Sequence, residues 1–290
     1  MITDSAAGSA IDASARIIAE GLTRKWGQQV VVVNQPGAGG SIAARAAVQA
    51  APDGYTLYMP SFSAFVAEPG AANNLPIQVP KDFIPIGYLS GGPMFICAAP
   101  WLGVKTLPEL IALAKKKPGE LAYGTNGPGR LTHLTGELLQ QRADIKLQMI
   151  PYSGGTSKVL TDIMGGRIPL IFEAYSGLAG AIQAGNLVPL AVASTERLPD
   201  FPNLPTVAET LPGFQATGWQ VLAFPAGTPD ALVQQANKDL NAMLAEPDVK
   251  TMIARLGRYQ RPMSAAETLA FIQSEQQRWA PVQQRLSVTR

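Results

Sequence analysis

The chain has little that reactive chemistry uses. Its 290 residues include one cysteine, one histidine and only 15% charged residues, with a net charge of +2. One cysteine excludes an intramolecular disulfide and a cysteine-based metal cluster. With only one histidine beside it, the three or four ligands of a zinc site are missing, so no metal and no cofactor is expected. Cys97, inside PMFICAAP, reads as a buried, inert thiol in an apolar strand. Like charges run together only at Lys115 to Lys117, where they close a helix and suit its dipole. Nucleic acid and anionic membrane are therefore not expected as partners. No apolar stretch reaches the roughly 18 residues of a membrane span. No signal peptide is recognisable; a first strand is expected directly after Met1 in MITDSAAG, which a removed leader or a trimmed chain would both leave.

Catalytic signatures are missing as well. The sequence holds no GxSxG, GxxxxGK[ST], HExxH or CxxC. GTNGPG and GAGGS carry glycines but not the GxGxxG spacing. A Ser-His-acid triad has only His133 to use, and nothing selects a serine for it.

What is present is a regular beat of strand and helix signals over a chain that is 47% hydrophobic. That is enough apolar material for one large or two smaller cores. IDASARIIAEGLTRKW places Ile11, Ala15, Ile18 and Leu22 at helical spacing. QQVVVVN reads as a strand buried on both faces. TLPELIALAKKKPG is a helix with Thr106 as N-cap and Gly119 just past its end. PDGYTLYMP is a turn and then a strand. LAYGT, KLQMIPY, RIPLIFEAY and LVPLAVAST are strands, with LTHLTGELLQQ, GTSKVLTDIMGG and SGLAGAIQAG as helices between them. The class is α/β with mostly parallel sheets. Two proline-rich stretches break the beat, around residues 69–100 and 201–229. The first holds two strand-like runs with no clear helix between, the second is similar, and the tail after them is helical. These are read as crossings between two lobes: residues 1–98 plus 221–290, and residues 99–220. A cleft between lobes is where such proteins bind ligands, at the carboxyl ends of strands.

Small-residue loops recur where strands enter helices: SAAGSAID, PSFSAF, GTNGPGRLTH and PYSGGTSK. A helix N-terminus offers unpaired amides and the positive end of a dipole, glycine admits an anion to the backbone, and Ser or Thr adds a hydroxyl. The set suits a carboxylate. Each loop taken singly is equally a tight turn. Asp12 fits a cap or dipole partner of the first helix. Asp53 fits a turn, and Asp162 an exposed helix face. Glu173, closing the apolar strand LIFEAY, is costly unless paired or wet. Arg130 is either a solvated helix-start residue or a carboxylate partner. His133 either bonds locally on its helix or faces a ligand.

The ordered series NQPGAGG, APDGYTL, PYSGG and LPTVAE resembles the extracytoplasmic solute receptors of tripartite tricarboxylate transporters, the Bordetella-uptake-gene type. AAGSAIDASARIIAEGL, KDFIPIGYL and AYGTNGPGRLTHLTGELL match as well, and the likeness runs from about Ala6 to Gly257. The resemblance implies a monomeric periplasmic receptor with a two-lobed, type II periplasmic-binding-protein fold. It implies no catalysis. Such receptors close on a small organic carboxylate and pass it to membrane permease subunits. It further implies two carboxylate-holding loops, here Ala7, Gly8, Ser9 and Ala10, and Thr125, Asn126 and Gly127. Ser61, Ser63, Thr132, His133, Tyr152, Gly155, Glu173, Ala174 and Tyr175 would line the rest. This chain departs from the pattern in the hydroxyls of AAGSAID. It also has Glu173-Ala174-Tyr175 where amino-acid binders carry an aspartate, which favours a dicarboxylate or an aromatic carboxylate. A hydrolase or transferase using His133 and a ligand sensor with a signalling partner are the competing readings.

Overall fold

The computed structural model of the protein describes residues 1–37, 40–66, 77–152 and 155–288, without the side chains of residue 10 and of residues 285–288. Ala38 and Gly39 of NQPGAGG, Ser153 and Gly154 of PYSGG, and residues 67–76 of the first proline-rich stretch lie outside the described residues. The chain forms two compact units, residues 1–91 with 219–290, and residues 92–218. It leaves the first unit within strand β3 (Phe83–Ala98) and returns within strand β8 (Thr217–Pro225).

In the first unit, helix α1 (Ala10–Trp26) begins at the N-cap Ser9 and ends at Gly27, whose φ of 63° supplies the left-handed cap. Its Ala15, Ile18, Ala19 and Leu22 are buried against Leu240 and Met243 of helix α8 (Asp230–Leu244) and Val249 and Ile253 of helix α9 (Pro247–Arg255). Each such leucine or isoleucine contributes about 1.5–3 kcal/mol on burial. The packing is close: a Cβ on Gly21 would stand 2.6 Å from Met243 Sδ. Strands β1 (Ile2–Thr3) and β2 (Val33–Asn34) pair in parallel. On its other side Ile2 bonds Leu57 and Met59, and Tyr58 in turn exchanges backbone bonds with Ala223. The expected strand in PDGYTLYMP is thus reduced to bridges at Tyr58. Helix α2 (Ser41–Val48) follows β2, and the short helix α3 (Phe62–Val66) packs on helix α10 (Ala265–Val288). Phe62 meets the rings of Trp219 and Trp279 edge-on at 5.3 and 5.5 Å, and both indoles donate to the buried Glu275.

One expectation fails here. QQVVVVN is not buried on both faces: Val31 is 57% and Val33 42% exposed. Only Val33 and Asn34 are in a ladder, and they pair with β1 alone. The run lies at a sheet edge, so one of its faces meets water.

In the second unit the strands are ordered β5 (Gln148–Pro151), β4 (Ala122–Thr125), β6 (Leu170–Ala174), β3 and β7 (Val188–Val192), with β8 also pairing with β3. β4 is parallel to β5 and to β6, as strands joined by crossover helices must be. Those helices are α5 (Leu131–Ala143) and α6 (Gly155–Met164). The long β3 enters without a helix and runs antiparallel to β6 and β7. The helix-free stretch, read as two strand-like runs, therefore ends in one continuous 16-residue strand. Helix α4 (Leu107–Lys116) starts with the expected Thr106 cap, in a full capping box with Glu109. Because β4, β5 and β6 share a direction, their carboxyl ends lie at one edge. The N-termini of α5, α6 and α7 (Tyr175–Gln183) follow directly from it.

Candidate functional site

The residues singled out from the sequence fall into two groups, one in each unit. In the first unit Gly8 takes a φ of +78°, a conformation suited to glycine. Ala7 and Gly8 are exposed. The loop is already bonded to itself: Gly8 N–H donates to Asp12 Oδ2 at 2.8 Å, Ser9 N–H to Ala6 O at 3.2 Å, and Asp12 N–H to Ser9 Oγ at 3.2 Å. Asp12 is buried and also accepts from Asn34 Nδ2 at 2.9 Å and Arg16 Nε at 3.0 Å. Burial opposes its charge. The bonds from Asn34, Gly8 and Arg16 together outweigh burial and hold the carboxyl below its ordinary range. Asp12 thus has the structural role expected of it. Ala10 opens α1.

Ser61 and Ser63 are also in the first unit and are buried. Ser61 donates to Asp4 twice, from its amide at 2.8 Å and from its hydroxyl at 2.6 Å. Ser63 Oγ lies 3.2 Å from Ser61 Oγ, and because the Ser61 proton is committed to Asp4, Ser63 is the donor. Asp4 was not singled out from the sequence. It is 2% exposed, and the space for it exists because position 40 has no side chain: a Cβ on Gly40 would stand 2.7 Å from Asp4 Oδ2.

In the second unit the loop after β4 uses side chains to cap its own amides. Asn126 N–H donates to Thr132 Oγ1, Gly127 N–H to Thr125 Oγ1 and Gly129 N–H to His133 Nδ1, each at 3.1 Å. Thr125, Thr132 and His133 are buried. Since Nδ1 of His133 accepts, Nε2 carries the proton, and it faces Glu137 Oε1 at 3.6 Å. Tyr123 and Gln140 also donate to Glu137. His133 is the largest influence holding the Glu137 carboxyl below its ordinary range; burial works against it. The partners of His133 among the described residues are Gly129 and Glu137, and neither is a serine, threonine or cysteine that it could activate. The local reading of His133 matches this geometry.

At the same strand edge Glu173, partly buried, gathers three donors. Oε2 accepts from Asn126 Nδ2 and from Thr156 Oγ1, both at 2.8 Å, and Oε1 accepts from Ala174 N–H at 2.8 Å. Burial pushes the Glu173 carboxyl above its ordinary range, against those bonds. Thr156 was not singled out from the sequence, although PYSGGTSK contains it. Tyr152 directs its hydroxyl to Asp162 at 2.7 Å and is pushed up to about 12, by burial and then by that carboxylate. Gly155 opens α6 at φ +71°. Tyr175 packs its ring against Phe201 at 4.7 Å and Phe95 at 5.5 Å. Among the described residues no three His, Cys, Asp or Glu side chains group as metal ligands. No helix among them is long and apolar enough to cross a membrane.

The architecture is the α/β periplasmic-binding-protein fold, the framework of solute-binding proteins. Residues 14–288 match the family described as the tripartite tricarboxylate transporter family receptor, and the chain belongs to that family. The match includes the helical tail, beyond the span of the resemblance read from the sequence. Protein BugT of Bordetella pertussis is 35% identical over 284 residues, 97% of this chain and 87% of that protein. Among solved structures, R. palustris Rpa4515 with adipate is 27% identical with a TM-score of 0.85, covering 97% of this chain and 94% of that one. MatC (Rpa3494) from Rhodopseudomonas palustris with bound malate is 28% identical with a TM-score of 0.82, covering 97% of each chain. The family is one of binding proteins and not of enzymes, which removes the reading of His133 as a hydrolase or transferase base.

Proposed function

We propose that this chain is a periplasmic receptor that takes up one small organic carboxylate as a monomer and hands it to the permease subunits of a tripartite transporter. The observation that carries this reading is its end-to-end likeness to receptors whose structures hold adipate and malate. Those two ligands support a dicarboxylate. The half-exposed rings of Tyr175 and Phe201 support an aromatic carboxylate as the other member of the class. The proposed ligand contacts are Ala7, Gly8, Ser9, Ala10, Ser61, Ser63, Thr125, Asn126, Gly127, Thr132, His133, Tyr152, Gly155, Glu173, Ala174 and Tyr175. Helix N-termini supply the positive potential that a site with few basic side chains otherwise lacks.

The test is a thermal-shift screen across mono-, di- and tricarboxylates, preceded by native mass spectrometry of the purified chain. A ligand present at a hundred times its Kd adds about 2.7 kcal/mol of stability. The expected result is a raised melting temperature with one class of carboxylate. No shift with any of them sinks the reading.

A further inference from the structure

The loop that a ligand carboxylate would approach in residues 92–218 offers it few open amides. Those of Asn126, Gly127 and Gly129 are held by Thr132, Thr125 and His133. Two side-chain donors among the described residues at the same strand edge, Asn126 Nδ2 and Thr156 Oγ1, are both bonded to one oxygen of Glu173. Ala174 N–H, at the N-terminus of α7, holds the other oxygen. The seat is shaped for this side chain. A Cβ on Gly177 would stand 3.1 Å from Glu173 Cγ and 3.3 Å from Thr156 Cγ2, so a residue without a side chain is what lets the two pack there.

We propose that Glu173 is a tethered competitor: its carboxylate occupies the donors a ligand carboxylate needs, and the charge on Glu173 sets the affinity. The proposal rests on the receptor reading above. An anion arriving beside Asn126 and Thr156 meets a second anion. Two carboxylates at one site do not both stay ionised, so binding drives a proton onto Glu173. Burial has already moved this carboxyl toward the neutral form. Among the described residues no charged side chain is bonded to Glu173. Asp162 of α6 is tied to Tyr152 and Arg167, Lys158 of α6 is exposed and acts on Asp162, and Tyr123 of β4 is tied to Glu137. Tyr175 of α7 packs on rings, and Cys97 of β3 is buried and neutral. Affinity for a carboxylate therefore rises as pH falls through the Glu173 value, and each ligand bound takes up a proton.

The experiment is calorimetric titration of wild type and Glu173→Gln with succinate, adipate, malate and benzoate, at several pH values from the ordinary carboxylate range up to mildly alkaline. Glutamine keeps the volume and an acceptor oxygen but not the charge. The expected result is binding at least about tenfold tighter in Glu173→Gln, with the pH dependence flattened, the size following from two charges a few ångströms apart. Equal or weaker binding by the variant, with wild type binding, overturns the competitor and leaves the receptor reading standing. No binding by either protein overturns both. Should Glu173→Gln fail to fold, wild type alone decides. Binding that takes up a proton, measured as a buffer-dependent heat, supports the competitor, and pH-independent binding without it rejects it.

Discussion

Replacing Asp12 with alanine is expected to destabilise the first unit by about 3 kcal/mol. The carboxylate has three partners of unequal worth. Arg16 is 57% exposed at its side chain, so that pair adds little, about 0.5 kcal/mol. Gly8 N–H is exposed and recovers a water when Asp12 is gone, which limits its share to about 1 kcal/mol. Asn34 Nδ2 is part-buried; its bond to a charged acceptor is worth about 1.5–3 kcal/mol, softened by the bond it keeps to Ser5 O. A loss of this size lowers the melting temperature by about 6–12 °C in a unit of this length. The sign of the pH effect follows from the depressed carboxyl. Its stabilisation is complete above the ordinary carboxylate range near pH ~4 and is lost as pH falls through the lower folded-state value. Thermal and urea unfolding between neutral and acid pH measure both effects. In Asp12→Ala the acid limb should be flatter than in wild type. A loss under about 0.5 kcal/mol with an unchanged acid limb would refute the bonding described for Asp12.

Other substitutions test other parts of the molecule. Gly40→Ala places a methyl 2.7 Å from Asp4 Oδ2 at a φ of +98°; a loss of about 2–4 kcal/mol in urea unfolding is expected, and a neutral result would mean that Asp4 is not held there. Thr106→Ala removes the cap of α4 and half of its capping box, at a cost of about 1 kcal/mol measured the same way. Cys97 is fully buried, and burial pushes its thiol up. It should resist thiol reagents in the native protein and react fully in denaturant, so rapid native labelling would contradict its burial.

The beat of strands and helices was legible because each element declares itself locally. Thr106 with Glu109 three residues on, and Gly27 after the last basic residues of α1, are signals that need no knowledge of neighbours. QQVVVVN failed because the number of faces a strand buries depends on what pairs with it, and only β1 does. β3 was read as two runs because prolines and a Gly-Gly pair interrupt its pattern, yet β6, β7 and β8 hold it as one strand. At the candidate site, Asn126 and Glu173 were each visible in their loops. Their hydrogen bond was not, since 47 residues separate them and only the parallel order of β4 and β6 brings them together. Thr156 and Asp4 were missed for the same reason. A threonine in a glycine-rich loop and an aspartate near Met1 look ordinary until the fold supplies their partners.

The self-capped loop between β4 and α5 has a consequence for how quickly and how selectively a ligand is accepted. Hydroxyls of Thr125 and Thr132 and the Nδ1 of His133 fix the backbone from Asn126 to Gly129 through bonds within the fold itself. The conformational entropy of these residues is therefore surrendered during folding and is not charged against association. A rigid rim rejects a mis-shaped guest instead of remoulding around it, so selectivity is set in advance by the shape the fold gives this loop.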